Sequence, residues 1–98
     1  MSAEISSLIT RTPEIRHGRP CIAGTGVTVH RVALLYKLGL SPEEIVREYE
    51  HLSIAGVYAA LAYYHANRTE IEADLAADEA EADLIEAENL KQQSPTVA

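Results

Sequence analysis

The fold of this chain is decided by one stretch, residues 39–53, with the sequence GLSPEEIVREYEHLS. Gly39 is typical of the position just after a helix, because glycine adopts positive φ without steric cost. Ser41 predicts the start of a new helix, since it can act as an N-cap and Glu44 completes a capping box with it. Ser53 can cap a further helix in the same way. The stretch therefore predicts three consecutive helices separated by short turns.

Apolar residues at helical spacing extend this pattern on both sides. They predict a first helix over about residues 29–38, a second over 42–50 with Pro42 at its first position, and a third after the connection 51–53. The first helix is indicated by the helical spacing of Val29, Val32, Ala33, Tyr36 and Leu40. The residues expected to face inward in the second and third helices are Ile45, Val46, Tyr49, Val57, Leu61 and Tyr64.

Two short capped helices joined by three residues, with a helix before them, have the spacing of a helix-turn-helix unit. Antiparallel helix pairs that do not bind DNA use equally short loops, so the spacing leaves both interpretations open. The third helix begins with residues 53–58, SIAGVY, which offer almost none of the side chains that read base edges. Direct reading of the major groove by this helix is therefore not favoured.

Residues 7–29 are expected to form two or three very short strands linked by turns, because β-branched residues there alternate with turn residues. Gly24 and Gly26 indicate backbone at positive φ or in close approach to another group. So small a sheet is not stable alone. Either helices of the same chain cover it or a second chain completes it.

Length and composition limit the class of protein. A chain of 98 residues has room for one domain with a modest core, which argues against a two-domain enzyme. No apolar run approaches the roughly 20 residues of a membrane span, and residues 1–4 lack the pattern of a secretion signal. Cys21 is the single cysteine, so no internal disulfide can form. We expect a cytoplasmic protein that does not bind a membrane.

The net charge of -7 is divided unevenly along the chain. Residues 1–69 hold seven Lys or Arg against six Asp or Glu, whereas residues 70–98 hold nine acids against Lys91 alone. Residues 69–90 contain no Gly or Pro and are rich in Ala, Glu and Leu, which predicts a helix. A heptad-like stripe interrupted by polar residues runs along it. Its members are Ile71, Leu75, Asp78, Ala82, Ile85 and Asn89.

These patterns divide the chain into three parts. Residues 1–68 are expected to form a β-turn segment with the helix-turn-helix core, residues 69–91 an acidic C-terminal helix, and residues 92–98 a disordered tail. The acidic helix can dock along the groove of a partner or fold back on its own domain, and the sequence leaves both open.

The sequence offers little for catalysis or metal binding. The four histidines share no zinc-ligand spacing, and the acids of the C-terminal helix lack the burial that would shift a carboxyl pKa. Cys21 has Arg16 and Arg19 nearby, which favour a thiolate, but a buried apolar strand residue is the commoner case. We expect no enzyme activity, no metal and no cofactor.

Several stretches together resemble the family called domain of unknown function 433, or DUF433. They are residues 13–29, PEIRHGRPCIAGTGVTV; 38–45, LGLSPEEI; 49–53, YEHLS; and 59–64, AALAYY; and the resemblance covers about residues 8–75. The family commonly has Gly-Thr-Arg where this chain has Gly-Thr-Gly at residues 24–26. Any contact that the family arginine makes is therefore absent at this position.

The resemblance implies a homeodomain-like helix-turn-helix protein. It also implies a VapB-like antitoxin of a type II toxin–antitoxin pair, encoded beside a PIN-like ribonuclease toxin. Two activities would follow, which are neutralisation of the toxin and binding of the pair's own promoter DNA as a homodimer.

The uneven charge leads us to assign residues to these two activities. A ribonuclease cleft that attracts phosphates should also attract an acidic helix. The expected toxin-binding residues are Glu70, Ile71, Glu72, Asp74, Leu75, Asp78, Glu79 and Glu81. The expected DNA-binding residues are Arg16, Arg19, Arg31 and Arg68. Two alternatives stay open, which are an orphan helix-turn-helix transcription regulator and an oligomeric scaffold that binds no DNA.

Overall fold

The structure, a computed structural model, describes residues 4–93 and is mainly helical over that range, with one short sheet. The α-helices are α1, Val29–Lys37; α2, Pro42–Arg47; α3, Ile54–Ala66; and α4, Arg68–Gln93. The strands β1, Ile9–Thr10, and β2, Cys21–Ile22, pair antiparallel, with Ile9 opposite Ile22. The mainly helical class and the short N-terminal strands are thereby confirmed.

The small sheet is covered by helices of the same chain. A 3-10 helix, Ile5–Leu8, leads into β1, and a single further pair joins Cys21 to Thr28 just before α1. α3 packs against both strands, and the β2 side chains of Cys21 and Ile22 are buried. The sequence left open whether helices of the same chain cover the sheet or a second chain completes it. In the structure, α3 of the same chain covers it.

Both ends of α1 follow from local sequence. At its start, the Thr28 hydroxyl accepts the backbone N–H of Arg31 at 3.0 Å. At its end, Gly39 takes φ +103°, and the N–H of Leu40 donates to the carbonyl of Leu35 at 3.1 Å. This is the αL termination that a glycine after a helix permits, and it confirms the end predicted at Gly39.

α2 begins as predicted and ends earlier than predicted. The capping box is present, because Ser41 Oγ accepts the N–H of Glu44 and Glu44 Oε1 accepts the N–H of Ser41. The helix stops at Arg47, however, and not near Glu50. The chain then passes through His51 at φ +65° and buries Leu52, so the connection to α3 spans residues 48–53 and not three residues.

α3 is the centre of the core in residues 4–68. It packs against α1, α2 and both strands, and Ser53 caps it by accepting the N–H of Gly56 at 3.0 Å. The three predicted core positions of this helix, Val57, Leu61 and Tyr64, are all buried. Around them lie the buried side chains of the neighbouring elements, which include Val29, Val32, Ala33 and Ile45.

Close contacts group residues 1–68 into one unit and residues 69–98 into a second. The described part of the second unit is helical throughout, as residues 69–93 of α4. Gln92 and Gln93 belong to this helix although the sequence placed them in the tail. The rest of that predicted tail, residues 94–98, lies outside the described residues.

Candidate binding surfaces

The first turn of α3 is occupied by packing against β2. Gly56 is buried there, and a Cβ at its position would lie 2.6 Å from Ile22 Cγ2. The side chains that remain exposed at this end of the helix are apolar, namely Ile54, Ala55 and Tyr58. Only the Tyr58 hydroxyl among them can form hydrogen bonds, and none is an Arg, Lys, Asn or Gln, so the turn offers little for reading base edges.

The predicted DNA-binding arginines 16, 19 and 31 lie around the junction between β2 and α1. Arg16 Nε donates to the carbonyl of Gly26 at 3.2 Å, two residues before Thr28. Arg19 precedes Cys21, which pairs with Thr28, and Thr28 caps the turn that carries Arg31. Arg16 and Arg31 are exposed, and Arg19 is half-buried with a contact of its own. The three arginines are up to 15 positions apart in sequence, and the segments that carry them are connected at this junction.

Arg68 is placed differently from the other three. It follows the last turn of α3, with its guanidinium carbon 5.9 Å from the centre of the Tyr64 ring. The neighbouring His65 ring meets Tyr36 edge-on at 5.9 Å, near the C-terminal end of α1. Arg31 lies in the first turn of that helix, so Arg68 belongs to another part of the surface.

Gly26 stands where the DUF433 resemblance implies an arginine, and a cation nevertheless lies beside it. Arg16 Nη2 is 3.7 Å from the point that a Cβ at Gly26 would occupy. The guanidinium of Arg16 therefore covers this position, held by its bond to the Gly26 carbonyl. A cationic group is present at the turn, although a different residue supplies it.

Cys21 is a structural residue of β2. Its side chain is 4% exposed, and its Sγ lies 3.5 Å from the carbonyl oxygen of Arg19. Burial raises the pKa of the Cys21 thiol, and the nearby Arg16 cation only partly opposes this. The thiol therefore stays protonated at neutral pH, which favours the structural interpretation over a reactive thiolate.

The predicted toxin-binding residues of α4 differ in exposure. Ile71 is 1% exposed, unlike the other members of the set. Leu75, Glu72 and Asp74 are half-buried, and the two acids, like Asp78, have contacts of their own. The exposed acids of the set are Glu70, Asp78, Glu79 and Glu81.

The exposed part of α4 lies further along the helix than the sequence analysis placed the binding site. Every residue from 76 to 91, here called the distal segment, is exposed. It carries six acids against Lys91 and three large apolar side chains, Leu84, Ile85 and Leu90, exposed by 69%, 52% and 62%. Sequence reasoning missed these three as site residues, although Ile85 lies on the predicted stripe.

Within residues 4–93 the structure contains no group of three or more His, Cys, Asp or Glu side chains arranged to hold a metal ion. Over the same range, no helix has both the length and the apolarity that crossing a bilayer requires.

Comparison with known proteins places the core of the chain in a family. The model of the family described as "Protein of unknown function (DUF433)" matches residues 9–64, more than half of the chain. The crystal structure of a DUF433 member protein from Anabaena variabilis ATCC 29413 is similar, with a TM-score of 0.67 and 25% sequence identity over 74% of this chain and 71% of that one. No curated protein matches the sequence. The family match ends within α3, before α4 begins. This chain belongs to the DUF433 family.

Proposed function

We propose that this protein is the antitoxin of a type II toxin–antitoxin pair, which neutralises a PIN-like ribonuclease through the distal segment of α4 and binds the promoter DNA of the pair as a homodimer. The exposed distal segment is the observation that supports neutralisation. It combines a strong negative charge with large apolar side chains on one helix. A ribonuclease must attract phosphate groups, so its cleft offers the opposite charge.

Physical chemistry also favours a partner for this segment. The distal segment forms about four turns of a continuous 26-residue helix, and all sixteen of its residues are exposed. Leu84, Ile85 and Leu90 project in directions more than about 90° apart around the helix, so a groove along one side covers at most two of them, with about 1.5–3 kcal/mol gained for each that it buries fully. Amphipathic helices that lie in the groove of a partner use such apolar anchors, with flanking charges that select the partner.

The promoter-binding activity and the homeodomain-like arrangement belong to the same proposal. α2 and α3 are consecutive capped helices that pack against each other, as the two helices of a helix-turn-helix unit do. The three arginines at the β2–α1 junction supply cations for phosphates without reading sequence. Pairing two copies on adjacent half-sites would add the affinity that one copy lacks.

Co-expression with the product of an adjacent PIN-like gene tests neutralisation. We expect the intact chain to restore growth and to co-purify with the ribonuclease, and a chain truncated after Leu75 to do neither. This truncation removes the distal segment and retains the buried Ile71. If the intact chain neither restores growth nor co-purifies, the antitoxin proposal is wrong, and the orphan regulator or the scaffold is favoured.

Single substitutions make this test sharper. Leu84→Ala should weaken ribonuclease binding about tenfold, as expected for loss of an apolar anchor. Leu38→Ala is the matched control, because Leu38 at the end of α1 is also 69% exposed. Equal effects of both substitutions would show that the distal segment has no special role. Replacing Glu79 and Glu81 with Gln should weaken ribonuclease binding, and the loss should be largest at low salt. The same replacement at Glu43 and Glu48 is the control and should weaken binding less.

A further inference from the structure

Two exposed guanidinium groups are held in fixed positions on the turn from Arg11 to Gly18, here called the arginine turn. Arg11 Nε donates to the carbonyl of Gly18 at 3.1 Å, and Arg16 Nε donates to the carbonyl of Gly26 at 3.2 Å. Arg11 was not among the residues assigned to DNA from the sequence. Each hydrogen bond joins residues seven or more positions apart, so it depends on the fold of the turn.

The backbone of this turn has an uncommon conformation. Arg16, His17 and Gly18 take φ values of +51°, +57° and +77° in succession. Left-handed conformation is unfavourable for residues with a Cβ and persists where surrounding interactions impose it. The bond from Arg11 to Gly18 joins the beginning of the turn to its end. The turn is therefore a defined structure that presents Arg16 and His17 outwards, where both are exposed.

The hydrogen bonds leave the phosphate-binding edge of each guanidinium available. Arginine has five N–H donors, and a bond made by Nε still leaves the four donors on the two Nη atoms. Those two atoms form the fork that fits two oxygens of a phosphate. A side chain that is already ordered also loses less conformational entropy when it binds.

We propose that the arginine turn binds the phosphodiester backbone of a double-stranded nucleic acid through Arg11 and Arg16, in place of reading by α3. The inference rests on the DNA-binding half of the proposed function and is independent of the neutralisation half. Protein interfaces depend on large apolar or aromatic anchors, and residues 11–18 expose one such side chain, Ile15. The turn exposes two arginines against the single acid Glu14, and exposed arginines are the usual donors of backbone phosphate contacts.

The test measures binding of the full chain to a labelled 20-base-pair DNA duplex of arbitrary sequence by fluorescence anisotropy, at salt concentrations from about 50 to 200 mM. Each phosphate contact contributes about 0.9 to the slope of log K against log salt. We expect Arg11→Ala and Arg16→Ala each to reduce the magnitude of that slope by about 0.9 and to weaken binding at low salt about tenfold. Arg47→Ala, an exposed arginine at the end of α2, is the control and should change neither quantity.

A second pair of variants keeps every arginine in place. Gly26→Glu adds a carboxylate beside Arg16, in a position with space for a side chain and no positive φ. Gly26→Glu should reduce the magnitude of the slope about as much as Arg16→Ala does, because the new carboxylate pairs with the Arg16 guanidinium. Ala62→Glu adds the same charge at an exposed position of α3 and should have a much smaller effect. Circular dichroism of each variant confirms that it is folded.

The outcomes separate the possible ligands. Binding of the DNA duplex, or of an RNA duplex of the same sequence, with the expected losses supports the inference and identifies the source of the phosphates. Displacement of the duplex by an oligoglutamate of equal charge would overturn it in favour of an acidic protein. Unchanged binding in both arginine variants, or equal loss in Arg47→Ala, would also overturn it. None of these results depends on a ribonuclease, so failure here is distinct from failure of neutralisation.

Discussion

Replacing Gly56 with alanine tests how closely the first turn of α3 packs against β2. The added Cβ would lie 2.6 Å from Ile22 Cγ2, closer than real Cβ contacts, and 3.1 Å from Ser53 Oγ. Ile22 in β2 is 3% exposed, and its Cγ2 is bonded directly to Cβ. This methyl group therefore cannot move aside as the tip of a long side chain can. Either β2 or α3 must shift.

The expected loss follows from two opposing terms. Overpacking of a buried site costs about 1–3 kcal/mol, whereas alanine is favoured over glycine within a helix by at most about 1 kcal/mol. The net loss in the free energy of unfolding should be about 1–2 kcal/mol. For a domain of this size, that corresponds to a fall of about 5–15 °C in the melting temperature.

A double-mutant cycle assigns the loss to this contact. Ile22→Leu removes the Cγ2 branch, because leucine branches one carbon further out, and should cost less than about 1.5 kcal/mol alone. The double variant should be more stable, by at least about 1 kcal/mol, than the sum of the single effects predicts. Gly26→Ala is the control, since its new Cβ would meet nothing closer than 3.7 Å, and it should be neutral or slightly stabilising. Urea unfolding measures all four variants. A neutral Gly56→Ala, or strict additivity with Ile22→Leu, would refute the packing argument.

Three further predictions concern the helix cap, the thiol and the charge of α4. Ser41→Ala removes one half of the capping box and should lower the free energy of unfolding by about 1 kcal/mol in urea titrations; no loss would mean that water replaces the cap. Because burial raises the pKa of Cys21, the folded state keeps a proton that the unfolded state loses. The urea midpoint should therefore fall as pH rises from about 8 to 9.5, and less so in Cys21→Ala. Equal pH dependence in both proteins would contradict this. Truncation after Leu75 removes six acids and Lys91, so at about 50 mM salt it should strengthen binding to the DNA duplex in the anisotropy assay. A gain that persists unchanged at about 200 mM salt would show that charge is not the cause.

The helix boundaries set by caps were predictable from the sequence, and those set by packing were not. Gly39, Ser41 and Ser53 act through contacts with residues three or four positions away, so local sequence is enough to place them. The early end of α2 has a different origin. The chain turns at His51 to bury Leu52, and only the assembled core favours that turn. Sequence reasoning therefore lengthened α2 by three residues.

The candidate surfaces show the same division. Uneven charge along the chain was visible in composition and indicated both an acidic helix and basic N-terminal residues. Composition did not show which of these residues are accessible. Ile71 and Leu84 are both large aliphatic residues of the same predicted helix, yet Ile71 is 1% exposed and Leu84 is 69% exposed. Arg11 belongs to the basic N-terminal residues but was not assigned to DNA, since its bond to Gly18 requires a left-handed turn that the sequence does not specify.

The position of Gly56 connects the fold to the proposed use of its surfaces. One side of the first turn of α3 lies so close to β2 that even one methyl group does not fit at Gly56, whereas Ile54, Ala55 and Tyr58 stay exposed on the other side. That exposed side offers few of the side chains that read base edges. The strand pair of β1 and β2 carries the chain from the arginine turn to Thr28 and the first turn of α1, so Arg16 and Arg31 lie on segments that meet at the β2–α1 junction. Phosphate contacts do not distinguish bases. Under the proposed function, a sequence preference would therefore come from the shape of the duplex or from the spacing between two bound copies.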